Sequence, residues 1–265
     1  MNKSDSAPAL VRIEHADGVS RVVLDSAETR NALSLDLSRQ LRDALVEATS
    51  DPRTRVVVLS AKGPLFSVGG ELLAFRAAPV GANLNEVVAR PLHDAIEAMT
   101  TARQPVVCVL HGSVGGGGVG LVLAADIVVM ADSAAIRMGY TGSGLSPDCG
   151  VTWFLPRLLG VARAMDLLLT NRRVEAAEAL QLGLVSRVVA ADSLDSAVQD
   201  VLGALARVPV DTLGETKRLV RRAPVLDLHT QLDDEARTIG RIGDTADARE
   251  AMAAFLDKRP AIFSR

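Results

Sequence analysis

Two short runs carry residue types that can act on a ligand directly: Phe66-Ser67-Val68-Gly69-Gly70-Glu71 and Gly115-Gly116-Gly117-Gly118. Each follows a strongly apolar, strand-like run, and the second opens an apolar helical stretch. Glycine lets the backbone turn sharply and brings bare N–H groups close to a ligand. Two such groups aimed at one oxygen form an oxyanion hole, the device of acyl-group chemistry. The same glycines also read as a tight turn against which a helix packs closely. Both readings stand at this level.

A carboxylate is the next requirement, because acyl chemistry at carbon needs a group to move protons. In the stretch from Ser133 to Gly150, which only the family resemblance described below singles out, the ionisable side chains are Arg137, Tyr140, Asp148 and Cys149, so Asp148 is the only acid there. It follows Pro147 in a Pro-Asp-Cys-Gly turn. It reads either as an acid/base or as the cap of the helix that follows. Cys149 adjoins it without an evident base, so no nucleophilic thiol is expected. His93 lies in Leu92-His93-Asp94, which reads as ordinary helix surface, and His111 ends a buried strand in a structural role. Tyr140 reads as pocket lining or as filling space. Arg172-Arg173 and Lys217-Arg218 with Arg221-Arg222 read as solvated helix faces.

The elements that must position these residues follow from periodicity and punctuation. Residues 10–15 and 19–24 are short β-like runs around Asp17-Gly18, a hairpin signal. Ser34 is placed to cap a helix carrying Leu37, Leu41 and Leu45, which stops near Asp51-Pro52. Residues 56–59 and 105–110 are continuous apolar runs, as in strands buried on both faces. Residues 72–82 read as a mobile loop, and 85–101 as a helix with Val88, Leu92, Ile96 and Met99 on one face. Strands are expected at 127–130, 134–138 and 185–189, and helices at 152–159, 162–169 and 175–183. From Ser193 the pattern is almost wholly helical. Mixed strand–helix units followed by helices predict an α/β core with a helical tail. The division expected is a loose tail over 1–9, a core over 10–200 and a helical region over 201–265.

Composition narrows the partners. The 265 residues are 48% hydrophobic, enough for one well-filled domain with an added helical subdomain. A net charge of −3 and 3% aromatic residues give neither the basic surface nor the stacking rings of a nucleic-acid binder. No apolar run reaches the roughly 18–20 residues of a membrane span. The longest, 119–130, is broken by Asp126 and reads as a buried helix running into a strand. The N-terminus lacks the apolar core of a signal peptide, and the two cysteines, Cys108 and Cys149, have no metal-ligand or disulfide spacing. A cytoplasmic protein with reduced thiols and no metal is expected.

In order and spacing these motifs resemble the crotonase superfamily, the enoyl-CoA hydratase/isomerase fold. The likeness runs through Asn31-Ala32-Leu33, the first glycine loop, 105–126, Gly144-Leu145-Ser146-Pro147-Asp148, Leu155-Pro156-Arg157, 179–188 and Phe255-Leu256-Asp257-Lys258-Arg259-Pro260. It implies an α/β spiral of ββα units whose C-terminal helices build a homotrimer, often paired into a hexamer. It implies an acyl-CoA thioester as substrate, with no cofactor beyond that CoA. By matching positions, the Gly70 and Gly117 N–H groups are the oxyanion donors, and the Ala32 region and the Ser67-Val68 backbone line the CoA path. Lys258 and Phe263 sit in the tail that touches CoA bound to a neighbouring subunit.

The same resemblance exposes two departures. Hydratases of this superfamily use two glutamates; here those positions are Gly120 and Tyr140. Water added across a double bond must lose a proton to some group, so ordinary hydration lacks its machinery. The Pro147-Asp148 turn instead is similar to that of ring-1,2-epoxyphenylacetyl-CoA isomerases, in which the aspartate moves a proton between carbons. That likeness extends through Thr152-Trp153-Phe154 and Thr230-Gln231-Leu232-Asp233. A related dehalogenase places a nucleophilic aspartate where Asp148 falls and a histidine at a spacing comparable to His93. Isomerisation is the leading expectation. Hydration, attack of Asp148 on an aryl-CoA, and non-catalytic acyl-CoA binding are the alternatives.

Overall fold

The computed structural model describes residues 9–263. The expected tail over 1–9 lies outside the described residues except for Ala9. Strands β1 (Val11–Ala16) and β2 (Val19–Leu24) form an antiparallel hairpin. Asp17 and Gly18 both take positive φ, 51° and 77°, as a two-residue turn matched to strand twist requires. Helix α1 (Leu35–Ser50) opens at Ser34, whose Oγ accepts from Leu37 N–H at 3.2 Å. It buries Leu37, Leu41 and Leu45, and strand β3 (Val56–Ala61) follows.

Next come α2 (Leu72–Ala77), α3 (Leu84–Thr101), β4 (Val106–Leu110) and the two-residue β5 (Val114–Gly115). Helix α4 (Gly117–Ala124) leads into β6 (Ile127–Ala131) and β7 (Ala135–Arg137). Helices α5 (Val151–Leu159) and α6 (Val161–Thr170) precede β8 (Arg173–Glu175), α7 (Ala176–Leu182) and β9 (Arg187–Val189). Four helices close the chain: α8 (Leu194–Ala206), α9 (Val210–Arg222), α10 (Leu228–Gly243) and α11 (Ala246–Leu256).

The main sheet runs β1-β2-β3-β4-β6-β9, parallel from β2 onward, and a small sheet runs β5-β7-β8. Val57, Val58 and Leu59 are fully buried, as a central parallel strand covered on both faces must be. All eight residues of α4 are buried and none has a polar side chain, the composition of a helix enclosed on every side. Among the described residues no helix is long and apolar enough to cross a membrane.

The structure departs from the sequence reading in several places. Residues 72–82 begin with a helix, α2, rather than a loop. The run Leu72-Leu73-Ala74-Phe75-Arg76-Ala77 has good helix formers, and the Phe75 ring packs over Gly70, where a Cβ would lie 2.6 Å from it. Residues 173–175 form β8 before the helix expected from 175, because Val174 pairs with Ile136 between two charged neighbours. Strand β9 is shorter than 185–189, since Leu184 N–H still bonds back to the Ala179 carbonyl to close α7.

On α9, Lys217 and Arg221 depart from the reading as a solvated face, while Arg222 keeps to it. Lys217 is 9% exposed, and its Nζ donates to the carbonyls of Met99 at 2.6 Å and Gln104 at 3.1 Å. It pairs with Asp126 Oδ2 at 2.8 Å, while Arg221 Nη2 reaches Asp126 Oδ1 and the Ala124 carbonyl, both at 2.7 Å. Asp126 Oδ2 also accepts from Val106 N–H at 2.8 Å. Burial pulls the Lys217 ammonium below its ordinary pKa, and the Asp126 charge opposes that pull. Removing one member of such a buried group strands the others without a counter-charge. Asp126→Asn is therefore expected to cost about 3 kcal/mol or more in a urea titration. Lys217→Met should cost less, because Asp126 keeps Arg221.

Candidate active site

The two glycine loops meet backbone to backbone. Phe66, fully buried, anchors the first loop and donates its N–H to the Ser113 carbonyl at 3.1 Å. Ser67 bridges Val114, and Gly115 N–H donates to the Ser67 carbonyl at 2.9 Å. Gly69 has φ +88°, and a Cβ there would lie 2.9 Å from the Gly115 carbonyl oxygen. Gly116 has φ +52°, and a Cβ there would lie 3.3 Å from the Gly69 α-carbon. Any larger residue at either position would push the loops apart and strain the backbone.

Asn31 braces this junction from behind. It is fully buried, and its Nδ2 donates to the carbonyls of Lys62 at 2.9 Å and Leu65 at 3.0 Å. Its own carbonyl accepts from Ser67 Oγ at 2.7 Å, and Ser67 Oγ accepts from Gly69 N–H at 3.1 Å. Leu33 N–H donates to the Gly69 carbonyl at 2.8 Å, so the Gly70 N–H takes no part in that bridge. Gly117 is the first residue of α4, where N–H groups have no intrahelical acceptor. Both glycines line one cavity of about 590 Å³.

Asp148, Tyr140 and Cys149 line the same cavity. Asp148 does not cap α5: the N-cap is Gly150, which has no side-chain cap bond. The Asp148 carboxylate instead accepts at Oδ1 from the Tyr140 hydroxyl at 3.1 Å. Cys149 takes φ +51° and Gly150 +74°, which turns the chain sharply between Asp148 and the helix. Burial, with the neighbouring Cys149 and Asp148, pushes the Tyr140 hydroxyl far above its ordinary pKa, so it stays protonated and donates. Burial, then the Asp148 charge, likewise raises the Cys149 thiol. Cys108 and Cys149 are both unpaired and buried.

The Gly120 position is closed to any side chain. A Cβ there would lie 2.1 Å from the Cys149 carbonyl oxygen and 2.6 Å from the Cys149 Cβ. The turn that carries Asp148 therefore fills the space beside α4.

His93 lies at the helix surface, as read from the sequence, but beside the turn that carries Asp148. A ring nitrogen of His93, a carboxylate oxygen of Asp148 and Cys149 Sγ lie within 4.8 Å of one another. This is the one such cluster of His, Cys, Asp or Glu among the described residues, and so the place where a cation would find three ligands. Ala89 and Leu92 of α3 line the cavity, and His93 stands at its margin, outside the lining residues. The signal was there: His93 sits one position beyond Leu92, at the margin of the apolar face. His111 does hold structure, with Nε2 bonded to the Gly63 carbonyl at 2.8 Å.

The remaining expected site residues fall in different places. Val68 is on the cavity wall, whereas Ala32 and Ser67 are buried behind it and Leu33 faces the space. Glu71 precedes α2 and makes no side-chain cap bond. Lys258, at φ +53°, and Phe263 follow α11 and do not line this chain's own cavity.

Known proteins with similar sequences and structures give the family. Residues 14–265 match the family model for enoyl-CoA hydratase/isomerase. A Rhodobacter capsulatus protein described as an enoyl-CoA hydratase is 35% identical over 96% of this chain and 97% of its own length. The 1,2-epoxyphenylacetyl-CoA isomerase of Escherichia coli is 34% identical over 93% of this chain and 95% of its own. The crystal structure of an enoyl-CoA hydratase/isomerase from Mycobacterium abscessus superposes with a TM-score of 0.90 at 35% identity, covering 96% of this chain and all of that one. The chain, with its α/β crotonase fold, belongs to the enoyl-CoA hydratase/isomerase family of acyl-CoA enzymes.

Proposed function

We propose that the protein is an acyl-CoA isomerase that shifts a double bond through a thioester enolate. The N–H groups of Gly70 and Gly117 hold the thioester oxygen, each contributing about 3–4 kcal/mol to the charged state. Asp148 removes a proton from one carbon of an unsaturated acyl group, and the electron pair moves into the thioester carbonyl. The protonated Asp148 then returns that proton to another carbon as the enolate collapses, so no water and no redox partner is consumed. The Tyr140 hydroxyl engages Oδ1 and leaves Oδ2 to meet the substrate. The observation that carries the reading is the pairing of a lone, Tyr-held carboxylate with a closed Gly120 position. A base for water has no room there, while a single proton carrier is enough for isomerisation.

Ala32, Ser67 and Val68 would shape the CoA path, with Lys258 and Phe263 reaching CoA in a neighbouring copy of a homotrimer or hexamer. The exposed Leu228, Leu232, Ile239, Phe255 and Leu256 of α10 and α11 support such packing. The proximity of His93 to Asp148 favours a second reading, in which Asp148 attacks an aryl-CoA that carries a leaving group and His93 activates the water that releases the product. Solvent oxygen label recovered in Asp148 after a single turnover would select that reading over proton transfer.

Asp148→Asn is expected to slow solvent deuterium exchange into the acyl chain by about a thousandfold, with acyl-CoA affinity retained. Unchanged exchange in that variant would remove Asp148 from the chemistry. Crotonyl-CoA should be hydrated far more slowly than isomerisable esters are turned over. Gly120→Glu, which restores a hydratase-type side chain, is expected to lose isomerisation about a hundredfold and gain no hydration, because the clash with Cys149 displaces Asp148. Rapid crotonyl-CoA hydration by Gly120→Glu would contradict the packing argument.

A further inference from the structure

One wall of the cavity carries hydrogen-bond donors with no acceptor opposite them. Arg137 closes β7 as an exposed residue and is one of those that line the cavity. Its Nε donates to the Asn171 carbonyl at 2.9 Å, which orients the guanidinium and leaves both Nη groups unengaged. No carboxylate among the described residues forms an ion pair with it at 4.0 Å or less. Asn171 lines the cavity beside it and is 8% exposed. Its Oδ1 accepts from Gly139 N–H at 2.7 Å, so the donor side of the amide is the free one. That Nδ2 lies where a Cβ on Gly142 would stand, 2.1 Å away, so glycine at 142 is what leaves it room.

A second observation points the same way. In the antiparallel β7–β8 pair Arg137 stands directly opposite Arg173. Like charges in that position repel. Arg173 is neutralised by Glu175 at 2.8 Å; Arg137 has no such partner. The cavity's carboxylates are engaged elsewhere, Glu86 with Arg90 at 2.5 Å and Asp148 with Tyr140 at 3.1 Å. An unpaired guanidinium and an amide donor, held side by side and facing a like charge, match an anion with several acceptor oxygens.

Strand order says which part of a ligand reaches them. Leu33 pairs with Gly70, Ser67 with Val114, Gly115 with Arg137, and Arg137 with Arg173. Arg137 therefore lies beyond the glycine loops on the side opposite Leu33 and Val68. A thioester held between the loops, with its CoA arm toward Leu33 and Val68, directs its acyl group toward Arg137.

We propose that Arg137 and Asn171 recognise an anionic group on the acyl part of the substrate, so that the enzyme takes acyl-CoA esters bearing a carboxylate remote from the thioester. The assignment rests on the acyl-CoA reading of the Gly70 and Gly117 cavity. Titration calorimetry with adipoyl-CoA and hexanoyl-CoA, esters of equal chain length, tests it. The wild type is expected to bind adipoyl-CoA about tenfold more tightly, the size of one charge-assisted contact. In Arg137→Gln the two affinities should become equal, and Arg137→Lys should retain part of the preference. Equal binding of the two esters by the wild type overturns the proposal and leaves the acyl-CoA reading standing. Free CoA and 3′-dephospho-CoA test the other source of negative charge. If Arg137→Gln weakens CoA and both esters alike but spares dephospho-CoA, the guanidinium holds a nucleotide phosphate and the acyl assignment is wrong. If no ester and no CoA binds, the acyl-CoA reading falls as well.

Discussion

The contact between Gly69 and Gly116 determines where everything else in the cavity can stand. Two backbones approach so closely that a Cβ on either residue would enter the other loop. This closeness places the N–H of Gly70 and the first N–H of α4 on one wall, each left without an acceptor by the local backbone pairing. In the proposed reading, donors fixed in this way need little rearrangement when charge appears on a ligand oxygen. Asn31 makes the arrangement rigid, because its side chain and carbonyl bind both sides of the first loop at full burial.

Helix α4 transmits this constraint through the molecule. It has no polar side chain, so the polar contacts that fix it lie at its ends. At the N-terminal end Gly116 rests on the first loop. At the other end Asp126 holds Val106 of the central sheet, while Arg221 of α9 binds both Asp126 and the last carbonyl of the helix, Ala124. The buried cations of α9 are thus part of the frame of the site, although they lie at the far end of an eight-residue helix.

Much of this frame was legible in the sequence. Continuous apolar runs marked the parallel strands, Ser34 and Asp17-Gly18 marked a helix start and a hairpin, and the glycine loops marked the cavity. What escaped reading depends on contacts between distant segments. Helix α2 was hidden by its short length and by the Pro and Gly that follow it, and β8 by having a single apolar residue between two charges. Lys217 looked like a surface residue because its acidic partner lies 91 positions earlier in the chain, at Asp126. His93 looked like the polar edge of a helix because only the folded chain brings the Asp148 turn beneath it. Gly120 read as a missing glutamate; its packing shows that the vacated volume is filled by backbone.

In the proposed reading, this packing is what separates the site from that of a two-glutamate hydratase. The residue at 120 can lack a side chain only because the Cys149 carbonyl occupies its place, and Cys149 can sit there only if 120 is glycine. The positive φ of Cys149 turns the chain so that the preceding Asp148 faces the cavity and not the helix that follows. Tyr140, at the second glutamate position, then supplies a donor to the carboxylate that has moved in. Positions 120, 140 and 148 consequently form one coupled unit, in which the effect of any substitution depends on the other two. A single exchange toward the hydratase pattern adds a carboxylate without clearing its space, and removes the support of the one already present. If the proposed isomerase reading holds, a route from it to hydration runs through concerted change in the turn carrying Asp148, with the glycine loops and their amides left as they are.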